Sequence, residues 1–542
     1  MNKIEIIELP KIYDPRGCLT VAEESSHIPF KINKVEWKHI GIIHSDAPME
    51  LEPCSMMLIA LAGEITIQIM EEGTIRLTRP NQALILGETC KSSIIDSTKH
   101  SLLLTIHKKI KEMETENEKK AIKYLDLKAI NAPYEEEIKK EINQVVSSGW
   151  YLQGRCVKQF EKNYATFIGT EYCISCGNGL DALKLILMGE MAIGKLHQGD
   201  EILVPANTYI ATILSITSVG LVPILVEPNP ETLQIDENLI ESNISYKTRG
   251  IMLVHLYGKL SWTERIQEIC KENDLLIFED NAQAFGCGYV NSSAQEAIRR
   301  KLNQEDEDIT HQNQIDENIT YQDQIDIISN YAIQKSICHT GALGDAGAHS
   351  FYPSKNLGAL GDAGAVTTDD EELAEAIRAL HDYGRTSRFD FEYQGINSRM
   401  DEIQAAVLNV KLRHPHDEHI ARCRKAMLYM DYLHPAIVER CIPKRLLEDP
   451  FSNVLHIFPF MTEERMRLRE FLMDESVETA IHYPIPPNEQ LGYPELRHYQ
   501  LPITQNIACQ ELSLPCNSTM RDEEVIRVAQ LINDYFLRRN LR

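Results

Sequence analysis

The chain has 542 residues, too many for one ordinary core and enough for two to four domains at about 150 residues each. With 43% hydrophobic and 25% charged residues it reads as a folded globular protein, which sets aside wholesale disorder and fibrous architectures. Its 55 basic against 80 acidic residues leave a formal charge of −25, so a nonspecific nucleic-acid binder is not expected.

Met1-Asn2-Lys3-Ile4-Glu5 opens with an acidic residue where a signal peptide would turn apolar, and no apolar run reaches the roughly 20 residues of a membrane span. A cytoplasmic protein is expected, with no membrane partner. The 13 cysteines are scattered and read as reduced thiols. Cys173 and Cys176 form the lone Cys-x-x-Cys; on a strand they would point to opposite faces, so no metal is expected from them.

Residues 1–110 read as short strands, among them Met56–Leu61, Glu64–Ile69 and Ser101–Ile106, separated by turns at Ala62-Gly63, Glu72-Gly73 and Arg79-Pro80-Asn81. This pattern favours a small all-β sandwich or barrel. The run Lys108 to Lys120 is too charged to bury much, so a linker is placed at 111–121. From 122 onward helical stretches alternate with apolar strands such as Ile202-Leu203-Val204, Gly250–Val254 and Leu275–Phe278, the pattern of an α/β domain with a mainly parallel sheet. Its ligands belong at the carboxyl ends of the strands. Residues 291–340 interrupt it with a polar ten-residue repeat, Asn303-Gln304-Glu305-Asp306 echoed by Asn313-Gln314-Ile315-Asp316, which lacks the apolar surface for a core and reads as a surface insertion.

Three segments carry chemistry. Ser350-Phe351-Tyr352-Pro353-Ser354-Lys355-Asn356-Leu357-Gly358 is flanked by two copies of Gly-Ala-Leu-Gly-Asp-Ala-Gly-Ala, at 341–348 and 358–365. A lone lysine is ordinarily solvated surface, but one delivered by an apolar strand into a glycine-rich loop suits Schiff-base chemistry. Leu275 to Phe278 runs into Glu279-Asp280-Asn281, and a carboxylate at that strand end either pairs with a cofactor's pyridinium nitrogen or caps a following helix. Ser175-Cys176-Gly177-Asn178-Gly179 turns a strand into a helix whose first N–H groups suit a phosphate.

Together with Val204-Pro205-Ala206-Asn207-Thr208-Tyr209, Gly395-Ile396-Asn397-Ser398-Arg399-Met400-Asp401 and Ile481-His482-Tyr483-Pro484, these segments resemble the DegT-type nucleotide-sugar aminotransferases over residues 122–542, the insertion apart. The resemblance implies a pyridoxal 5'-phosphate enzyme of the aspartate-aminotransferase fold (fold type I), with a large α/β domain at 122–410 and a smaller C-terminal α+β domain at 411–542. It implies Lys355 as the Schiff-base lysine and proton shuttle, Asp280 at the ring nitrogen, Gln283 at the phenolic oxygen and Tyr209 over the ring. Gly177, Asn178 and Ser350 fall at the phosphate, as does Asn397, which the family takes from a neighbouring subunit; a homodimer with shared sites follows. Tyr209 as plain core, and His482 as a loop histidine rather than a sugar-nucleotide contact, stay open.

The first 107 residues resemble the cupin-type (jelly-roll) sugar 3,4-ketoisomerases through Asp14-Pro15-Arg16-Gly17, His27-Ile28-Pro29-Phe30, Leu58-Ile59-Ala60-Leu61 and Arg79-Pro80-Asn81-Gln82. That family carries a His-x-His pair seven residues before its Leu-Ile-Ala-Leu strand; ungapped alignment puts Met49 and Leu51 there, with His44 reachable only through a gap. Neither side chain can move the protons of ketoisomerisation, so a degenerate domain without a metal is expected. The two resemblances together imply glutamate-dependent amination of a dTDP-3-keto-6-deoxyhexose. A 4-keto substrate, a bifunctional enzyme and a noncatalytic sugar-nucleotide sensor are the alternatives.

Overall fold

The computed structural model describes residues 121–290 and 337–539 throughout, together with the strands of the first 108 residues and a few residues beside them. The chain divides into two compact units, Met1–Glu118 and Lys119–Arg542.

The first unit is antiparallel β throughout its described part. A five-stranded sheet runs in the order Glu5–Glu8, Gln82–Leu86, Met56–Ala62, Ser101–Lys108, Ile32–Ile40, and a four-stranded sheet in the order Met49–Leu51, Ser92–Ser97, Ile65–Ile69, Gly73–Leu77. In Ile65–Ile69 the three isoleucines are buried while Thr66 and Gln68 are half-exposed, which is what period-2 alternation produces on a sheet with one wet face. Met56, Leu58 and Ala60 from one sheet meet Ile65, Ile67 and Ile94 from the other in one core, the two-sheet arrangement that the cupin resemblance implies. Met49 and Leu51, two apart on their strand and therefore on one face, pack half-buried against that core. His44, residues 109–120 of the charged run and residues 291–336 lie outside the described residues.

In the second unit seven strands form one sheet in the order Tyr172–Cys176, Gly364–Thr368, Ala346–Ser350, Leu276–Asp280, Thr248–Val254, Glu201–Pro205, Val222–Val226. Only Gly364–Thr368 runs against the rest. The strand interiors are near-continuous buried apolar runs because helices cover both faces. Cys173 and Cys176 are both buried and belong to cores on opposite sides of the sheet, as their spacing predicts, and neither is in a disulfide. The polar insertion, expected over 291–340, ends earlier than its composition suggests: Ile337–His339 pairs antiparallel with Gly288–Val290, so 337–339 belong to a ribbon that brings the two ends of the insertion together.

Beyond residue 411, helices surround a two-stranded antiparallel ribbon, Phe458–Met461 with Glu511–Leu514, and bury a core of their own. Ile122 joins this core and bridges to Val477. Among the described residues no helix is long and apolar enough to cross a membrane.

Candidate active site

Gly177, Asn178, Tyr209, Asp280, Gln283, Ser350 and Lys355 sit at or just past the ends of strands of the seven-stranded sheet, where ligands of such sheets bind, whereas Asn397 and His482 come from loops outside it. Cys176 ends its strand, Asn178 caps the helix Gly179–Ala192 by accepting the N–H of Asp181 at 2.9 Å, and its amide donates to the Asp181 carboxylate at 3.0 Å. The side chain of Asn178 is thus committed to the cap, and the first-turn N–H groups of Gly179 and Leu180 are the ones without an intrahelical carbonyl. The N–H of Gly177 is also taken, by Ser398 Oγ at 2.9 Å, while that hydroxyl donates to Asp181. The cradle is narrow. A Cβ on Gly179 would stand 2.6 Å from Ser350 Cβ, and one on Gly364 would stand 2.5 Å from the carbonyl of Asn178.

Asp280 ends the strand Leu276–Asp280 and is 6% exposed. Its Oδ2 accepts from Thr212 Oγ1 at 2.8 Å and its Oδ1 from the N–H of Ala282 at 3.2 Å; among the described residues it makes no ion pair. Burial raises its carboxyl above the ordinary range, against the pull of these two donors and of Lys355. Lys355 follows the strand Ala346–Ser350 on a tight loop closed by its own N–H to the carbonyl of Tyr352. Its Nζ is bonded to no protein group among the described residues. Burial holds its ammonium below the ordinary lysine range, and Asp280 opposes that shift. The loop has two anchors: Lys411 Nζ donates to the carbonyl of Gly358, and Asn356 Oδ1 lies 2.8 Å from His456 Nδ1.

Gln283 is buried, accepting the N–H of Tyr257 at 2.6 Å and donating to Tyr483 Oη at 2.9 Å, which leaves its second amide hydrogen free to point elsewhere. Tyr209 is not core: it is 51% exposed, with its ring 5.0 Å from that of Tyr483. His482 is partly buried, its Nδ1 2.7 Å from Ser513 Oγ. It lines a small cleft with Tyr124, Ser354, Arg422 and His456. Lys355 acts electrostatically on both His456 and His482, which ties this cleft to the lysine. Asn397 is exposed, one residue from the Ser398 that holds Gly177.

Residues 133–533 match the DegT/DnrJ/EryC1/StrS aminotransferase family. The chain belongs to this family. Residues 2–116 match a second model, FdtA, described as WxcM-like, C-terminal. The chain is 37% identical over 414 residues, 76% of its length and 99% of the relative's, to a dTDP-3-amino-3,6-dideoxy-alpha-D-galactopyranose transaminase of Aneurinibacillus thermoaerophilus. It is 32% identical, over 78% of its length and 98% of the relative's, to a dTDP-3-amino-3,4,6-trideoxy-alpha-D-glucose transaminase of Streptomyces venezuelae. Among solved structures it resembles Streptomyces venezuelae DesV in complex with a ketimine intermediate, with a TM-score of 0.62, 31% identity, 77% of this chain covered and 98% of that one. It also resembles NtdA from Bacillus subtilis with bound pyridoxamine phosphate, with a TM-score of 0.61, 27% identity, and coverage of 76% and 84%.

The cofactor of this aminotransferase is pyridoxal 5'-phosphate, and the chain's own geometry fits it. A buried carboxylate with no cation partner suits a protonated ring nitrogen, an unbonded lysine amine suits an aldehyde, and a helix N-terminus too tight for any Cβ suits a phosphate. Three groups that support the candidate site have no role in the sequence reading: Thr212 behind Asp280, Ser398 behind Gly177, and Tyr483 between Tyr209 and Gln283. Their partners are 68 to 221 positions away, which no local pattern shows. Glu279 was missed for the same reason. Fully buried, it accepts the N–H groups of Gly341, Leu343 and Gly344 and sits 2.8 Å from His255 Nε2, so it fixes the turn that leads into Ala346–Ser350.

Proposed function

We propose that the chain transfers an amino group from glutamate to C3 of a dTDP-linked 3-keto-6-deoxyhexose, giving a dTDP-3-amino-3,6-dideoxyhexose. The observation that carries the reading is the pairing of buried Asp280 with the unbonded, partly buried amine of Lys355 at the ends of neighbouring strands. The 3-amino sugar regiochemistry follows the names of the two relatives above.

When bound, the cofactor supplies an electron sink that acidifies the carbon carrying the amine. The chain's part is electrostatic and positional. Asp280, kept in a dry site by Thr212 and the Ala282 N–H, holds a proton on the ring nitrogen opposite it. Lys355, pushed toward its neutral form by burial, is the base that takes the proton from the amino donor and returns it across the ring. The N–H groups at Gly179 and Leu180, with Asn178 shaping the turn and Ser350 beside it, bind the phosphate; Gly177 keeps the approach open. Tyr209 covers one ring face, and the spare hydrogen of Gln283 reaches the phenolic oxygen. His482 contacts the sugar nucleotide from the cleft.

The active unit is a homodimer in this reading. The exposed aromatic side chains of Trp150, Tyr352, Tyr383, Phe389 and Phe391, and the exposure of Asn397, support that reading, in which Asn397 would serve a neighbouring subunit's phosphate. The first unit, with Met49 and Leu51 turned into its apolar core, holds no acid or base at those positions and serves folding, dimerisation or substrate handling instead.

Borohydride reduction of the protein with its cofactor tests the site. A pyridoxyl mass on the peptide containing Lys355, absent from Lys355→Ala, is expected; the mass on another lysine would overturn the assignment.

A further inference from the structure

A hydrogen-bonded chain runs from the cleft into the C-terminal core, and the mechanism above uses only its outer end, His482, as a contact. His482 Nδ1 lies 2.7 Å from Ser513 Oγ, and Ser513 Oγ lies 2.5 Å from Glu511 Oε1. The other carboxylate oxygen accepts the backbone N–H of His482 at 2.6 Å. Glu511 and Ser513 are fully buried on the strand Glu511–Leu514, whereas His482 faces the cleft that contains Ser354, the neighbour of Lys355.

Ser513 has one proton and can donate in only one direction at a time. With Glu511 ionised, Ser513 donates to it and accepts from Nδ1–H, so Nε2 of His482 presents a lone pair. With Glu511 protonated the bonds reverse, Ser513 donates to Nδ1, and Nε2 carries the hydrogen. The charge state of a buried acid therefore dictates which tautomer the cleft meets.

We propose that Glu511, Ser513 and His482 form a proton relay that delivers one proton to the sugar oxygen lost during amination and takes one back when the reaction reverses. This rests on the aminotransferase reading above. In the delivering step the Nε2–H bond breaks and its proton joins the hydroxyl oxygen on C3, the C3–O bond breaks with its electron pair going to that oxygen, which leaves as water, and the lone pair of the amino nitrogen on C3 makes up the lost bond. The imidazole takes Ser513's proton at Nδ1, Ser513 takes the proton of Glu511, and Glu511 is left as the carboxylate. One proton leaves Glu511 and one reaches the oxygen, with nothing oxidised or reduced.

The surroundings suit that traffic. Burial pushes Glu511 up to about 7, against the pull of Ser513, the His482 N–H and Arg465. Burial, reinforced by Lys355, holds His482 down at about 4, so the ring stays neutral near pH 7 and passes protons by changing tautomer. Among the described residues the titratable groups facing Glu511 are His482, Arg465 from the helix Arg465–Asp474, Tyr257 from the turn after Thr248–Val254, and Tyr124 from the segment preceding the first helix of the unit, whose phenol also hydrogen-bonds Ser513 and leaves the direction of the Ser513 proton to Glu511 and His482. Both tyrosines are raised by burial and stay neutral over the working range.

The test uses full-length protein labelled with ¹⁵N in its histidine rings, without cofactor or substrate, the His482 signals being identified by their loss in His482→Gln. The relay predicts that Nδ1 and Nε2 exchange protonated and unprotonated character as the pH crosses about 7, and that Glu511→Gln fixes one tautomer throughout. In turnover, Ser513→Ala and Glu511→Gln should lower kcat on the order of a hundredfold with an unchanged KM for the sugar nucleotide, and erase the limb of the pH profile near neutrality. A wild-type tautomer that ignores pH, or one that still switches in Glu511→Gln, overturns the relay. Protein that fails the tautomer test yet carries cofactor on Lys355 refutes the relay alone, whereas protein without cofactor on Lys355 refutes the reading beneath it.

Discussion

At the scale of single residues, the site depends on two groups whose protonation is set by burial rather than by each other's contact. Asp280 is held by a hydroxyl and an N–H, and Lys355 by nothing at its amine, so each is ready for a partner that the protein itself does not supply. Asp280→Asn keeps the shape and removes the charge that, in the proposed mechanism, would hold the ring nitrogen protonated. It should lower kcat by about a hundredfold or more while the protein still takes up cofactor, read by absorbance titration alongside steady-state rates. No helix follows Asp280, so it is not the helix cap that the sequence left open, and full activity in Asp280→Asn would mean that the buried carboxylate only closes the turn at Ala282. Lys355, Asp280 and the Gly177–Gly179 turn were legible in the sequence because each is a local pattern of an apolar strand followed by a special residue. The partners that define their states were not: the Thr212 hydroxyl and the Ser398 hydroxyl arrive from distant segments, and Asn178, read as a phosphate contact, has its side chain committed to the cap of its own helix.

At the scale of elements, the two identical octapeptides show how context decides what a sequence does. Both end in neighbouring antiparallel strands, Ala346–Ser350 and Gly364–Thr368, but the first enters its strand through a turn whose N–H groups are gathered by Glu279, and the second through the loop that Lys411 ties at Gly358. Glu279→Ala would strand three backbone donors and His255 without their shared acceptor. A loss of about 3 kcal/mol is expected, measured by denaturant unfolding, and it should be accompanied by weaker cofactor binding because the turn leads to Ser350 and Lys355. Stability within experimental error of wild type would remove Glu279 from this account. The alternation of strands and helices in the second unit was readable from the sequence pattern, as was the all-β character of the first unit, though not its strand directions. The position of Gly364–Thr368, the one reversed strand, was not, because strand direction is fixed by the crossovers around it and not by its own composition.

At the scale of the whole molecule, a family aminotransferase follows a β unit that matches a different family, and a polar insertion interrupts the large domain. The insertion leaves and re-enters through the paired strands Gly288–Val290 and Ile337–His339, so its ends are already neighbours and a short turn can join them. Replacing residues 291–336 by a turn such as Asn-Gly should leave kcat and the melting temperature close to those of the full chain, as checked by steady-state assay and calorimetry; a loss of activity would show that the repeat takes part in the reaction. The central claim is that the second unit aminates C3 and that the first unit does not make its substrate. The measurement that tests it most directly offers the protein, with pyridoxal 5'-phosphate and glutamate, dTDP-4-keto-6-deoxyglucose either alone or together with an active 3,4-ketoisomerase, with products identified by mass spectrometry and NMR. A 3-amino sugar only when the isomerase is present is the predicted result. A 3-amino sugar without it would show that Met49 and Leu51 do not silence the first unit, and a 4-amino sugar would contradict the assigned regiochemistry.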